Sequence, residues 1–153
     1  MNDTITAIAT PLGEGGIGVI RLSGKNALVI ALQLFHPATG SMEEPTPQKV
    51  LFGEIRDPES DECIDQVLLT FFKKPKSYTA EDVIEISAHG GAWIVSRILE
   101  LVLRQGARLA EPGEFTRRAF INGRLDLTQA AAVADVIDSA SDKALSSAIA
   151  QLK

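Results

Sequence analysis

The sequence is poor in the residues from which redox, metal and many nucleophilic sites are built. It holds one cysteine, Cys63, and two histidines, His36 and His89, in 153 residues. A lone cysteine cannot close an internal disulfide, and no Cys/His cluster has zinc spacing. Cys63 lies near an acidic loop and reads as a buried or idle thiol, not a nucleophile. Long hydrophobic runs are missing as well. No apolar stretch reaches the roughly 18 residues that a membrane span needs, and Met1-Asn2-Asp3-Thr4 sets no basic region ahead of an apolar one. The expectation is a soluble, cytoplasmic protein without a membrane or targeting segment. An excess of basic charge is also lacking: the net charge of −5 argues against a general nucleic-acid wrapper. Charge is nonetheless uneven. Acids crowd residues 43–65, whereas residues 97–124 carry Arg97, Arg104, Arg108, Arg117, Arg118 and Arg124 against Glu100, Glu111 and Glu114. Those arginines read either as solvated helix surface or as a local basic face.

What is present suits a globular chain: 45% of residues are hydrophobic and 23% charged, enough for one domain and part of a second. Residues 3–10 and 17–22 are β-branched runs on either side of a glycine-rich turn, so two strands are expected. Ser23-Gly24-Lys25-Asn26 then introduces a helix over residues 27–35, with Leu28, Ala31, Leu32 and Phe35 on one face. Residues 36–48 contain Pro37, Gly40, Pro45 and Pro47 and read as a loop. Residues 49–56 and 64–72 form a hairpin around Asp57-Pro58-Glu59-Ser60-Asp61. Residues 83–88 alternate, with Ile84, Ile86 and Ala88 on one face of a strand and Val83, Glu85 and Ser87 on the other. His89-Gly90-Gly91 opens a helix in which Ile94, Ile98, Leu101, Val102 and Gln105 follow helical spacing, and which Gly106 ends. A short strand is expected within residues 107–110, and a helix between Pro112-Gly113 and Asn122-Gly123. The interleaving of helices and strands predicts a mixed α+β fold.

From Asp126 the character changes. Asp126-Leu127-Thr128-Gln129 has the form of a capping box, and no proline or glycine follows it. Ala130, Val133, Ile137, Ala140, Ala144, Ala148 and Leu152 recur every three or four residues, which predicts one long amphipathic α-helix to the last residue. Such a helix needs a partner for its apolar stripe, and the expectation is a helical domain truncated from a longer protein.

Gly13-Glu14-Gly15-Gly16-Ile17-Gly18 satisfies the dinucleotide-binding glycine pattern by letter. The residues after Gly18 are strand-like, however, so no helix N-terminus would meet a pyrophosphate, and the segment reads as a turn. Ser23-Gly24-Lys25-Asn26 resembles the end of a phosphate-binding loop, but Val19 and Asn26 stand where glycine and a magnesium-binding hydroxyl are needed. No serine lies in a nucleophile elbow. His36 reads as an exposed loop residue, and His89 as a residue hydrogen-bonded at a turn or facing a ligand. Arg21, Glu85 and Arg124 form the suggestive set. Arg21 and Glu85 place charge on otherwise apolar strands, and buried or half-buried charge needs a partner or solvent. A carboxylate can accept two hydrogen bonds from adjacent ring donors, and arginine can hold a carboxylate bidentately. A surface glutamate and an arginine paired with an acid would satisfy the same pattern.

Four segments carry a family resemblance. They are Asp3-Thr4-Ile5 through Ala9-Thr10-Pro11 with Gly15-Gly16-Ile17-Gly18-Val19-Ile20-Arg21-Leu22-Ser23-Gly24; Ser77-Tyr78-Thr79-Ala80-Glu81-Asp82; His89-Gly90-Gly91; and Pro112-Gly113-Glu114-Phe115-Thr116-Arg117-Arg118-Ala119-Phe120 with Asn122-Gly123-Arg124-Leu125-Asp126-Leu127. Across nearly the whole chain they resemble the MnmE (TrmE) family of tRNA modification GTPases. The resemblance implies an α+β, mixed-sheet tetrahydrofolate-binding and dimerisation domain over residues 1–120, similar to the folate domain of the glycine-cleavage T-protein. Residues 121–153 would begin the central helical domain, and the inserted GTPase domain would be absent. The ligand implied is 5-formyltetrahydrofolate or 5,10-methylenetetrahydrofolate, held by Arg21, Glu85 and Arg124. Glu85 would read the pterin, and the arginines would meet carbonyl or carboxylate groups. Lysine also occurs in the family at the place of Arg124. Glycine often stands where this chain has Ala80, which bears on the backbone of that turn.

In the whole protein the resemblance implies GTP, K+ and Mg2+ in the GTPase domain and a homodimer. It also implies an FAD-dependent partner, MnmG (GidA), and one-carbon transfer to C5 of a tRNA wobble uridine. No catalytic residue and no metal ligand is expected within this stretch, which would act as a binding module. The alternative is a dimerisation scaffold without a ligand.

Overall fold

The computed structural model describes residues 3–11, 13, 15–40 and 44–153. Met1 and Asn2 of the N-terminal reading, Leu12 and Glu14 of the glycine-rich turn, and residues 41–43 of the expected loop lie outside the described residues. The strands are β1 (Ile5–Ile8), β2 (Ile17–Ser23), β3 (Phe35–Pro37), β4 (Val50–Arg56), β5 (Cys63–Phe72), β6 (Val83–His89) and β7 (Arg108–Leu109). The helices are α1 (Ala27–Leu34), α2 (Ala92–Arg104), α3 (Glu114–Ile121), α4 (Leu127–Ile137) and α5 (Asp142–Leu152). The strands form one sheet in the order β3-β4-β5-β6-β2-β1-β7. Its neighbours run antiparallel except β1 and β7, so the sheet is mixed and the α+β expectation holds.

The chain divides into two compact units. One comprises the residues up to 77 with residues 81–110, and the other residues 78–80 with 111–153. In the first unit, alternation buries Ile20, Leu22, Ile84, Ile86, Val67, Leu69 and Phe71 on one sheet face. Against them α1 sets Ala27, Ile30, Ala31 and Leu34, and α2 sets Val95, Ile98, Leu101 and Val102. Burying each large aliphatic side chain contributes about 1.5–3 kcal/mol relative to exposure. The buried stripe thus differs in part from the expected one: Ala31 and Phe35 are buried as expected, but Leu28 and Leu32 are only half-buried. The entry into α1 is held by Thr4, whose Oγ1 accepts the Asn26 N–H at 2.9 Å. At the far end of α2, Gly106 has φ +110°, the conformation that ends the helix as its position predicts.

Two expectations change. The proline-rich loop begins with a strand: β3 pairs with β4, Phe35 opposite Ile55 and Pro37 opposite Gly53. Pro37 is tolerated there because β3 is an edge strand, where a missing N–H breaks no ladder. The single long helix is two. Asp126 caps α4 in the expected capping box, its side chain accepting Gln129 N–H while Gln129 Oε1 accepts Asp126 N–H. The helix then stops, because the Ser139 hydroxyl donates back to Asp135 and Val136 carbonyls at 2.9 and 2.7 Å. Ser141 Oγ then accepts Ala144 N–H at 3.1 Å and starts α5. Serine side chains here compete with the helix backbone and replace it, without proline or glycine.

Candidate functional site

Arg21 on β2 and Glu85 on β6 are partners in register. Their strand neighbours Ile20, Leu22, Ile84 and Ile86 point into the core at 0% exposure, so both charges stand on the face away from α1 and α2. Arg21 Nε and Nη2 donate to Glu85 Oε2 at 3.0 and 2.9 Å. Both side chains keep 28% exposure. The two bonds fall on one oxygen, and Glu85 Oε1 receives none among the described residues. An ion pair this exposed contributes under about 1 kcal/mol, so exchanging it for ligand contacts costs little. Ala7 and Thr70 flank the pair on the same row of the sheet.

The next row runs Val19, Ser87, Leu68 and Phe52. On this face Ile17, Val50, Phe52 and Leu68 remain 45–66% exposed. A cavity of about 330 Å³ is lined by residues that include Ile17, Phe52, Gln66, Leu68, Ser87 and His89. A more polar one of about 350 Å³, lined by His36, Glu54 and Arg56 among others, shares Phe52 and Gln66 with it. The face thus offers an apolar floor beside a carboxylate–guanidinium pair, a combination suited to a flat ring with polar edges.

His89 closes the end of β6. Its Nδ1 lies 2.7 Å from Asp65 Oδ1, and its backbone N–H donates to Asp65 Oδ2 at 2.9 Å. Gln66 N–H also donates to Asp65 Oδ1 at 2.9 Å. Two backbone donors hold the Asp65 carboxylate in place, and it orients the imidazole ring through Nδ1. This is the turn-bound histidine expected. The same turn requires Gly90: a β-carbon there would sit 1.9 Å from Gly15 O, so the glycine-rich loop and the His89-Gly90-Gly91 turn meet backbone to backbone. After that loop comes β2, not a helix, as the reading against a pyrophosphate site requires. Cys63 is exposed, and partial desolvation together with the Glu54 carboxylate pushes its thiol pKa up, away from thiolate chemistry. No group of three or more His, Cys, Asp or Glu among the described residues could hold a metal ion.

Arg124 belongs to the second unit, directly after α3. Its guanidinium lies over the Tyr78 ring, 5.3 Å from the centroid. Structure brings Arg21 and Glu85 into contact, while the neighbour of Arg124 is Tyr78. The other arginines of residues 97–124 are engaged by acids. Arg97 meets Asp57 and Glu100, Arg104 meets Glu100, Arg108 meets Asp3, and Arg117 meets Glu111. Arg118 is fully buried and meets buried Glu114 at 3.5 Å. The local basic face is therefore largely neutralised, and Arg118 is core, not solvated surface.

The sequence model of the family described as GTP-binding protein TrmE N-terminus matches residues 4–124, four-fifths of the chain. The chain belongs to this family. The TrmE match includes Arg21, Glu85 and Arg124 and ends before α4. Among curated relatives, the tRNA modification GTPase MnmE of Moorella thermoacetica is 54% identical over 154 residues, 100% of this chain and 33% of the relative. The proteins of the same name from Enterococcus faecalis and Streptococcus pyogenes are 49% and 52% identical over 150 residues, 98% of this chain and 32% of each relative. The chain thus spans about a third of the length of these MnmE relatives.

Residue reasoning missed Tyr78 and Thr116. Tyr78 Oη lies 2.7 Å from Thr116 Oγ1, and Asn122 Nδ2 donates to Thr79 O at 2.8 Å. The Ser-Tyr-Thr segment and the Pro-Gly-Glu-Phe-Thr segment with its Asn-Gly-Arg continuation, two of the four that carry the family resemblance, are thereby joined. Their distance in sequence concealed the contact.

Proposed function

We propose that this chain is the tetrahydrofolate-binding and dimerisation module of a tRNA modification GTPase. The observation that carries the reading is the Arg21–Glu85 pair on the sheet face opposite α1 and α2, with Glu85 Oε1 open to a donor. A tetrahydropterin presents adjacent N–H groups along one ring edge, which a carboxylate accepts, and its rings and benzoyl group can lie on an apolar floor. Arg21 would keep Glu85 aimed while meeting a carbonyl oxygen. Arg124 would meet a carbonyl or carboxylate oxygen of the folate. The names of the relatives support the wider assignment, and membership of the TrmE family supports the domain's place in it.

In this reading residues 1–120 share the folate-domain architecture of the glycine-cleavage T-protein, and residues 121–153 begin the helical domain. 5-Formyltetrahydrofolate or 5,10-methylenetetrahydrofolate supplies a one-carbon unit for wobble-uridine modification of tRNA. GTP, K+ and Mg2+ belong to a GTPase domain elsewhere in the longer protein, which works in the cytoplasm as a homodimer with FAD-dependent MnmG. No helix among the described residues is long and apolar enough to cross a membrane.

Titration calorimetry with 5-formyltetrahydrofolate tests the site. Saturable binding that Glu85→Ala weakens about tenfold or more is expected, since a hydrogen bond to a charged group contributes about 1.5–3 kcal/mol. Unchanged affinity in a folded Glu85→Ala variant would remove the assignment. The second reading, a dimerisation scaffold without ligand, is favoured by the exposed Ile17, Val50, Phe52 and Leu68. Both readings give a dimer, so the folate titration separates them.

A further inference from the structure

The deciding observation concerns Arg124. Among the six arginines of residues 97–124 it alone has no acidic partner among the described residues, and its guanidinium makes no hydrogen bond there. It is also exposed, where a long side chain would ordinarily sample many rotamers. Here it is stacked. The Tyr78 ring lies under the guanidinium at 5.3 Å, and the Tyr78 hydroxyl is tied to Thr116 on α3 at 2.7 Å. The start of the Arg124 segment is fixed to the same turn by the Asn122 amide, which donates to Thr79 O. Stacking engages the face of the guanidinium and leaves its N–H edge, with five donors, uncommitted.

We propose that Tyr78 is a positioning residue. Braced by Thr116, its ring holds Arg124 in one orientation, so that the N–H edge is presented to a carboxylate or carbonyl oxygen of the bound ligand. This rests on the reading of Arg124 as a folate contact and adds what makes that contact effective. Without the ring, binding must also order a free side chain. A cation–π stack at an exposed site is worth about a two- to fivefold change in Kd.

The test is a double-mutant cycle read by 5-formyltetrahydrofolate titration of the whole chain. Arg124→Ala is expected to weaken binding about tenfold or more. Tyr78→Leu should weaken it about two- to fivefold in the wild-type background and not at all in the Arg124→Ala background. Tyr78→Phe, which keeps the ring, should recover most of the loss. A tyrosine that merely supports the fold would weaken binding equally in both backgrounds. Should Tyr78→Leu fail to fold, Tyr78→Met removes the ring while keeping an apolar side chain and reads the same cycle. The Arg124 Nε–Hε resonance gives a measure that needs no ligand: it should carry an upfield ring-current shift that Tyr78→Leu abolishes. Wild-type affinity in folded Tyr78→Leu, or losses independent of Arg124, would overturn the inference. Absence of any wild-type folate binding is a separate failure, which removes the folate reading and the inference together.

Discussion

At the scale of single residues, the most informative position is Ala80. It adopts φ +61°, a left-handed conformation that crowds a β-carbon against the following carbonyl. Nothing in its side chain offsets that cost. The strain is imposed by its neighbours: Ser77 Oγ donates to Glu81 O, and Thr79 O is held by Asn122. Ala80→Gly should therefore stabilise the chain by about 0.5–1 kcal/mol, the relief of strain exceeding the added unfolded-state entropy, as chemical denaturation would show. Asp57 gives a second prediction at this scale. Glu59 N–H donates to Asp57 Oδ1 at 2.9 Å, and this bond, with lesser help from Ser60 and Arg97, lowers the carboxyl pKa. A lowered folded pKa contributes stability that is full above the unfolded value near 4 and is lost as pH falls through the folded one. Urea midpoints measured below about pH 4 should decline less steeply in Asp57→Asn than in wild type.

Elements show where the sequence could be read and where it could not. Strand β6 was legible because Ile84, Ile86 and Ala88 alternate with Glu85 and Ser87, and period two has no competing explanation there. The capping box of α4 was legible because both of its bonds are local. Strand β3 was not, since its pairing with β4 is a tertiary contact and Pro37 argues locally for a loop. The break between α4 and α5 was hidden because apolar spacing continues across it, while the deciding bonds come from Ser139 and Ser141. Ser141→Ala should destabilise α5 by about 1 kcal/mol, measurable as lost helical circular dichroism on heating. For the candidate site, Arg21 and Glu85 were readable as charges on apolar strands, but their direct pairing depends on strand register, which no local pattern encodes.

For the whole molecule the question is what occupies the sheet face away from α1 and α2. Exposed Val50 lies on the Arg21–Glu85 row there, Phe52 and Leu68 on the next row and Ile17 beyond it, and one proposed function, dimerisation, would cover apolar surface of this kind. Phe52→Glu places a charge at its centre. Sedimentation equilibrium should show a dimer for wild type and a shift toward monomer for this variant, and an unchanged dimer would place the association elsewhere.

The account rests on the carboxylate–guanidinium pair of β2 and β6 as the receptor for a reduced pterin. Its most direct measurement is the Arg21 side-chain Nε–Hε resonance, followed by NMR while 5-formyltetrahydrofolate is added. The account predicts that this signal moves as Glu85 exchanges bonds with the ligand, and saturates at the calorimetric Kd. A signal that stays in place while the chain binds the folate would contradict it.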